Sequence, residues 1–311
     1  MNVTKNVAYL LMAVAATMWA TSGTLTELAI DVEATALQIT VFSVIITTAL
    51  VLIGVLIFDR KSFAVDRKDI VPLIVFSQIT STFFSLAWYY CVDLTGVASA
   101  VVLLYTYPSI VTVASVFLLS ERLTAEKAIA LPLTFVGCIL VEGAQNGGEG
   151  FEFSLVGIGL GIYAAIAGAI YYIWGKKFLG KYSANTVVLY MYLFSVPTLV
   201  LIANPISVVH TSLVADAWWY IFLIGLIPGA IAPVVSMLAL RRIQASRASI
   251  IASIEPVVAV FIAYLVLSQT LSVYQGLGVG LVFLGVVMLR LRIDHAEEAA
   301  TEARAETPPV R

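Results

Sequence analysis

The feature of this chain that most limits its fold is the placement of its basic residues among ten apolar segments. A membrane-spanning helix takes roughly 17–25 predominantly apolar residues, and 61% of the chain is hydrophobic while only 12% is charged. If successive segments alternate in direction, all 17 Lys and Arg residues fall on one side of the membrane, as in the positive-inside rule. The bases lie before the first segment, in every second connection and after the tenth segment: Lys5, Arg60, Lys61, Arg67, Lys68, Arg122, Lys127, Lys176, Lys177, Lys181, Arg241, Arg242, Arg247, Arg290, Arg292, Arg304 and Arg311. The sequence therefore predicts an all-α, multi-pass protein of the cell (inner or plasma) membrane, with both termini in the cytoplasm.

The connections between these segments are too short to hold a further domain. We place the segments near residues 7–28, 34–57, 70–92, 97–119, 126–142, 154–175, 184–203, 217–239, 247–267 and 273–290. The first follows Lys5 as the core of a signal peptide would, but it exceeds the roughly 7–15 residues of such a core, and we interpret it as a retained helix. The expected organisation is a five-helix half, a Gly-rich linker, a second five-helix half and a disordered cytoplasmic tail, at residues 1–146, 147–153, 154–292 and 293–311.

The two halves are related by an internal repeat. Shifting residues 88–141 forward by 148 positions overlays them on 236–289 without a gap, with eight identities that include Pro108 on Pro256 and Gly137 on Gly285. Because each half holds five spans, an odd number, the second half would be inserted upside down relative to the first. The bases agree: the connection at 93–99 has none, whereas its counterpart at 241–247 has three Arg residues. Inverted repeats of this kind are typical of secondary transporters, whose substrate site lies near the bilayer midplane between the halves.

Segments 96–141 and 244–289 resemble the second half of an EamA repeat. Both open with small residues, carry Pro eight residues after an Ala, and pass through a turn into a Gly-bearing helix. The turn reads Glu121-Arg122 in the first repeat and Gln269-Thr270 in the second, a departure that fits a base-free outer side. The resemblance is to the drug/metabolite transporter superfamily, and it implies ten transmembrane helices as two inverted five-helix EamA repeats. It also implies a pathway lined by the third, fourth, eighth and ninth helices, and a fifth and tenth helix that contribute either to dimer contacts or to packing within a monomer.

Glu255 is the strongest single candidate for function. It is the only Asp or Glu deep inside a predicted span and precedes Pro256. A carboxylate at the bilayer centre costs about 2.5 kcal/mol or more on insertion scales, so it must be protonated, paired or exposed to a wet cavity. These conditions suit a proton-coupling group or a group that binds a substrate ammonium. The alternative is structural, since the carboxylate can also bond backbone groups that the proline leaves free.

Other polar and aromatic side chains within the spans are candidates for lining a cavity. Gln78, Ser81, Ser85 and Trp88 recur at a spacing of three to four residues and would share one helix face. The remaining candidates are Tyr105, Tyr107, Trp19 and Tyr171. Each has an alternative as a helix-to-helix hydrogen bond or an interfacial anchor.

Pro108 and Pro256 are expected to bend the fourth and ninth helices. Equivalent bends in the two halves would suit elements that rock around a central site. A static kink that only serves packing remains the alternative.

Several classes of function find no motif in the chain. We find no phosphate-binding loop for ATP-driven transport, no hydrolase or metalloprotease motif, and no Cys/His spacing for a metal, so we expect no catalytic residues, no cofactor and no enzyme activity. The scattered bases form no patch for nucleic acid. Cys91 and Cys138 are either free buried thiols or a disulfide.

The leading hypothesis is a secondary transporter that exports a small organic metabolite, such as an amino acid, in exchange for protons by alternating access. The expected partners are this small-molecule substrate, protons and the lipid bilayer, and the protein would be a monomer or a homodimer. A membrane enzyme or a flippase-like lipid-handling protein is the alternative, and would call for clustered polar groups at a lateral opening.

Overall fold

The computed structural model of the chain describes residues 4–143, 154–203, 217–267 and 272–288. All regular secondary structure within these ranges is helical. The predicted linker 147–153 and tail 293–311 lie outside the described residues.

Within the described residues, the helices labelled α1 to α10 in chain order lie at the predicted apolar segments. Eight are long and apolar enough to cross a membrane: α1 (Lys5–Asp31), α2 (Ala36–Phe58), α3 (Arg67–Val92), α4 (Ser99–Leu118), α6 (Leu155–Leu179), α7 (Ala184–Ile202), α8 (Ala217–Leu240) and α9 (Ala245–Val266). The other two are α5 (Ala125–Gly143) and α10 (Val273–Met288). Helix α5 is not among the eight because it carries three charged residues, and the described part of α10 is shorter than a membrane span.

The 148-residue shift found in the sequence also relates the helix boundaries. The side chain of Thr35 caps α2 by accepting a hydrogen bond from the backbone N–H of Gln38 at 3.2 Å, and Ser183, 148 residues later, caps α7 in the same way at 3.1 Å. Such caps bond backbone N–H groups that the first helical turn leaves free. The first residues of α5 and α10 show the same separation. The repeat therefore extends beyond the segments whose sequences are visibly similar.

The chain reverses between α3 and α4 although its backbone remains helical from Phe83 to Leu104. A Cβ atom placed on Gly161 of α6 would lie 2.6 Å from Leu103 and 3.2 Å from Cys91. A straight helix would separate residues 91 and 103 by about 18 Å, so both can approach one glycine only if the chain turns back between them. The structure thus has a tight, helical reversal where the sequence predicts a loop.

The basic connections meet at one end of the bundle, termed the basic end. Arg247, at the start of α9, donates a hydrogen bond to the hydroxyl of Tyr9 in α1 at 3.1 Å. Ser62, after α2, contacts Ser183, before α7, at 2.8 Å between hydroxyl oxygens. Since α2 runs away from Thr35 toward this end, the equivalent caps Thr35 and Ser183 lie at opposite ends of the bundle.

Close packing of α5 on α10 depends on glycine. A Cβ atom on Gly278 of α10 would lie 2.6 Å from the carbonyl oxygen of Gly137 in α5, and small residues allow helices in membranes to approach this closely. The glycine-bearing faces of the two helices therefore contact each other within one chain. Cys91 and Cys138 are buried and form no disulfide with each other.

We predict that Gly278→Ala lowers the thermal stability of the detergent-solubilised protein by several degrees, whereas Gly280→Ala leaves it unchanged. A Cβ at position 278 collides with the backbone of α5, while nothing lies within 4 Å of one at position 280 of the same helix. Overpacking of this kind costs about 1–3 kcal/mol. Fluorescence-detected size-exclusion chromatography after heating measures the difference, and equal midpoints for the two variants would contradict the packing described.

Candidate functional site

Two helices are interrupted at equivalent places, directly before their prolines. The helix of α4 breaks at Tyr105–Thr106 and resumes at Tyr107, and that of α9 breaks at Ser253–Ile254 and resumes at Glu255. Pro108 and Pro256 each occupy the second position of the resumed helix, where the missing N–H has no partner to lose. Each proline thus lies just after a short turn that interrupts its helix. The breaks place Tyr107 and Glu255, 148 residues apart, at the first position of their half-helices.

Two further helices contain π-helical segments, and these are also equivalent. The segments are Gln78–Thr82 in α3 and Gly225–Ile231 in α8, and the shift of 148 carries the first into the second. A π segment leaves carbonyl groups without their usual partners and is frequent at functional sites. All four helices that the family resemblance assigns to the pathway are therefore irregular near their middle.

Hydroxyl groups of neighbouring helices contact both π segments. Thr47 of α2 donates a hydrogen bond to the carbonyl oxygen of Gly225 at 2.9 Å. Its equivalent in α7, Ser195, lies 3.0 Å from the hydroxyl of Ser81 and 2.8 Å from that of Thr82. Ser/Thr side chains commonly satisfy polar groups that an irregular membrane helix exposes. Each half of the molecule thus supplies, from the equivalent position, a hydroxyl that contacts the π segment of the other half.

Glu255 lies against tyrosines of α4. The hydroxyl of Tyr105 donates a hydrogen bond to the Glu255 carboxylate. Tyr107 donates to the carbonyl oxygen of Ser249 at 3.5 Å, which joins α4 to the half of α9 on the other side of its break. Both tyrosines are buried, whereas Glu255 remains partly exposed.

A continuous row of aromatic rings leads from Tyr105 to α1. Tyr105 packs on Tyr107 with 5.8 Å between ring centroids, and Tyr107 stacks on Tyr172 of α6 at 5.6 Å with the ring planes 4° apart. Tyr171 follows edge-on to Tyr172 at 5.3 Å, and Trp19 of α1 lies 6.1 Å from Tyr171. Five of the nine candidate residues therefore form one cluster: Glu255, Tyr105, Tyr107, Tyr171 and Trp19.

The chemistry of this cluster is that of a lone carboxylate in aromatic surroundings. Within the described part of the chain, no Lys or Arg forms an ion pair with Glu255. Aromatic faces attract cations, and a buried carboxylate gains from either a proton or a positively charged partner. In the same described ranges, no three His, Cys, Asp or Glu side chains are grouped so as to hold a metal ion.

Gln78, Ser81 and Trp88 are placed differently from the other candidates. The Gln78 amide donates to the carbonyl oxygen of Phe194 at 2.7 Å, and Ser81 bonds Ser195, so both link α3 to α7. Trp88 packs against the main core. The hydrogen-bonding role left open by the sequence is what the structure shows for Gln78 and Ser81. The amide oxygen of Gln78, Oε1, is buried without a hydrogen-bond partner.

Sequence reasoning missed Tyr172, Ser195 and both π segments. Tyr172 follows the predicted Tyr171 directly, and only the three-dimensional structure shows that it is the more buried of the pair. Ser195 has a signal in hindsight, because it stands 148 residues after Thr47 within an apolar run. The first π segment has no signal beyond its polar composition, whereas the second contains two glycines and Pro228.

Comparison with known proteins places the whole chain in one family. The sequence model of the EamA-like transporter family matches residues 6–143 and 155–291. A protein of Archaeoglobus fulgidus described as an uncharacterized transporter is 25% identical over 236 residues, which cover 76% of this chain and 81% of the relative. The uncharacterized transporter YetK of Bacillus subtilis is 26% identical over 262 residues, 82% of this chain and 79% of that protein.

The fold has a counterpart among crystal structures. One solved chain superposes with a TM-score of 0.80 at 17% sequence identity, covering 94% of this chain and 99% of its own length. At that identity, the likeness concerns the fold alone.

We predict that Ser195→Ala destabilises the protein while Ser85→Ala does not. Ser195→Ala removes the hydrogen-bond partner of the buried hydroxyls of Ser81 and Thr82 in α3. Ser85 also lies in α3 but makes no hydrogen bond among the described contacts. Hydrogen bonds between membrane helices contribute about 0.6–1.7 kcal/mol, so a fall of a few degrees in the thermal midpoint is expected for Ser195→Ala. Identical midpoints would show that these hydroxyls do not hold the π segment in place.

Proposed function

The chain belongs to the EamA-like transporter family, and from this premise we propose that it is a secondary active transporter for a small organic metabolite in the cell membrane. The observation that carries the proposal is the partly exposed carboxylate of Glu255, which sits at the break of α9 beside the break of α4. A charged group at that depth is retained in a membrane protein where it handles a proton, an ion or a substrate.

The proposed architecture has ten spans in two inverted five-helix halves, residues 1–146 and 154–292, with both termini in the cytoplasm. The constant shift of 148 between helix boundaries supports the pairing of the halves. Their opposite direction is supported by the equivalent caps Thr35 and Ser183, which lie at opposite ends. The basic end is the cytoplasmic end by the positive-inside rule.

Alternating access is the mechanism that this arrangement favours. At the basic end, the half-helix Tyr107–Leu118 of α4 packs against Ala245–Ala252 of α9. Among the described residues, no packing of comparable extent joins Ser99–Leu104 to Glu255–Leu267, the other halves of the same helices. Rocking about the four helix irregularities would exchange the closed side for the open one.

Glu255 is proposed to couple transport to protons, with the Tyr105 hydroxyl as its partner in the unloaded state. The aromatic row beside it suits a compact organic solute with an apolar body and a polar or cationic group, such as an amino acid. In this scheme, the proton gradient drives export, since a carboxylate loaded with a proton on the outside returns it to the cytoplasm.

We predict that Glu255→Gln abolishes proton-driven transport in proteoliposomes without loss of folded protein. The amide keeps the size of the side chain and the bond to Tyr105 but cannot exchange a proton. Asp31→Asn, which removes an exposed carboxylate at the end of α1, serves as the matched control and should transport normally. The assay follows a panel of amino acids and related metabolites with and without a pH gradient.

Transport by Glu255→Gln with an unchanged response to the pH gradient would refute the coupling role. Movement of lipid between leaflets, with no solute transported by the native protein, would instead favour a lipid-handling function.

A further inference from the structure

The basic end is closed by three buried or partly buried charges, and these are a further feature of the molecule beyond the central site. Glu121 and Lys127 belong to the connection between α4 and α5 and to the start of α5, and Lys176 belongs to the end of α6. Glu121 contacts the first residues of α9, Lys127 contacts Glu121, and Lys176 contacts the end of α8 and the connection that follows it.

Glu121 holds the start of α9. Its Oε1 accepts a hydrogen bond from the backbone N–H of Ala245 at 2.6 Å, and its Oε2 accepts from the N–H and the hydroxyl of Ser246. A carboxylate at this position satisfies free N–H groups and interacts favourably with the helix dipole. Ser120 makes this possible by adopting a left-handed conformation with φ of 55°, which turns the chain after α4.

Lys127 neutralises this carboxylate inside the protein. Its ammonium lies 3.4 Å from Glu121 Oε2 and donates to the carbonyl oxygen of Arg122 at 2.9 Å. Lys127 is 1% exposed and Glu121 is 8% exposed. An ion pair buried to this degree is far harder to break on one side than a surface pair.

Lys176 holds the other side of the same connection. Its ammonium donates to the carbonyl oxygens of Leu240 and Ile243, each at 2.6 Å. These carbonyls lie at and just beyond the end of α8, where a positive charge is favourable. The reversal between α8 and α9 is therefore fixed by an acid on the helix that begins and a base on the helix that ends.

In the sequence, the positions equivalent to these three charges hold uncharged residues. Under the shift of 148, Glu121 corresponds to Gln269, Lys127 to Gln275 and Lys176 to Leu28. The shift applies at all three positions, because α1 and α6 end 148 residues apart and α5 and α10 begin 148 residues apart. Within the repeat, these three charged residues therefore occur only in the copy of each position that lies at the basic end.

We propose that Glu121 and Lys127, supported by Lys176, form a latch that holds the basic end closed and biases the transporter toward the state open on the opposite side. This inference rests on the proposed transport function. The latch holds the half-helix Ala245–Ala252, which packs on α4 and closes the path to Glu255, so this half-helix can move only if Glu121 releases it. Water that enters the opened end solvates both charges, which makes the latch reversible.

Glu121 remains ionised near neutral pH. Burial by itself would raise the pKa of Glu121, but the hydrogen bonds from Ser246 and Ala245 and the charge of Lys127 together hold the pKa below its ordinary value. The charged groups around the pair also include Arg247, Glu126 and Lys176. Because the pKa is lowered, the contribution of the ionised carboxylate is present above its ordinary pKa and is lost only as the pH falls through the lowered one. Protonation of Glu121 therefore does not open the latch near neutral pH.

The test measures how readily the closed end opens. Ser249→Cys places a thiol in the buried half-helix Ala245–Ala252, in a protein whose native Cys91 and Cys138 are replaced by Ala. A membrane-impermeant maleimide is applied to inside-out vesicles, which expose the basic end, and to right-side-out vesicles. Added to this protein, Glu121→Gln or Lys127→Met should raise the labelling rate in inside-out vesicles by roughly 5–30-fold, the effect of a one to two kcal/mol bias. Arg122→Gln, which removes an exposed charge from the same turn, should leave the rate unchanged.

The double variant Glu121→Gln/Lys127→Met separates a latch from independent effects. Because each single change already breaks the pair, the double variant should label no faster than the faster single variant. An unchanged rate in both single variants, or an equal rise from both sides of the membrane, would overturn the proposal. If Glu121→Gln loses its folded, monodisperse form, Ser246→Ala should give a smaller rise from the basic end alone, and no rise would be equally decisive against the latch.

The labelling assay and the transport assay test the latch and the transport function separately. A shift in labelling without transport of any solute by the native protein would retain the latch and refute the transporter. Transport with no shift in labelling would refute the latch alone.

Discussion

The absence of water from the bilayer core is the constraint on which this structure depends. Every backbone N–H and C=O group at that depth must find its partner within the chain, yet four helices are irregular near their middle. The molecule meets this requirement locally: prolines occupy positions that need no N–H partner, and hydroxyls at the equivalent positions 47 and 195 contact the π segments. Irregular backbone thus occurs near the middle of four helices, and one of these helices carries Glu255.

Most of the architecture could be predicted from the sequence because its physical causes are repeated along the chain. Basic residues recur in alternate connections, apolar runs recur at the length of a bilayer, and Pro108 and Pro256 recur 148 residues apart. The partners of Gln78 and Ser81 could not be predicted in the same way. Their spacing places both side chains on one helix face, and both bond α7, but spacing along one helix does not say which neighbouring helix that face meets.

The symmetry of the backbone contrasts with the asymmetry of the side chains at the centre. Tyr171 and Tyr172 of α6 correspond to Gly23 and Thr24 of α1 under the shift of 148, and Glu255 corresponds to Tyr107. The two halves therefore provide equivalent helix breaks, while the acid and two of the stacked rings come from the second half. The backbone repeats its irregularities in both halves, whereas the side chains around Glu255 give this cluster a single orientation of charge and aromatic surface.

The half-helix Ala245–Ala252 of α9 connects the region of Glu255 directly to the basic end. Glu121 binds its first residues, and Tyr107 reaches the carbonyl oxygen of Ser249 near its last turn. The break at Ser253–Ile254 follows, and Glu255 begins the next half-helix. In the proposed scheme, a change in the charge of Glu255 acts on the half-helix that directly follows the half-helix held by the latch. Energetic coupling between two sites requires an element with two arrangements that both sites bias, and this eight-residue helix is in contact with each of them.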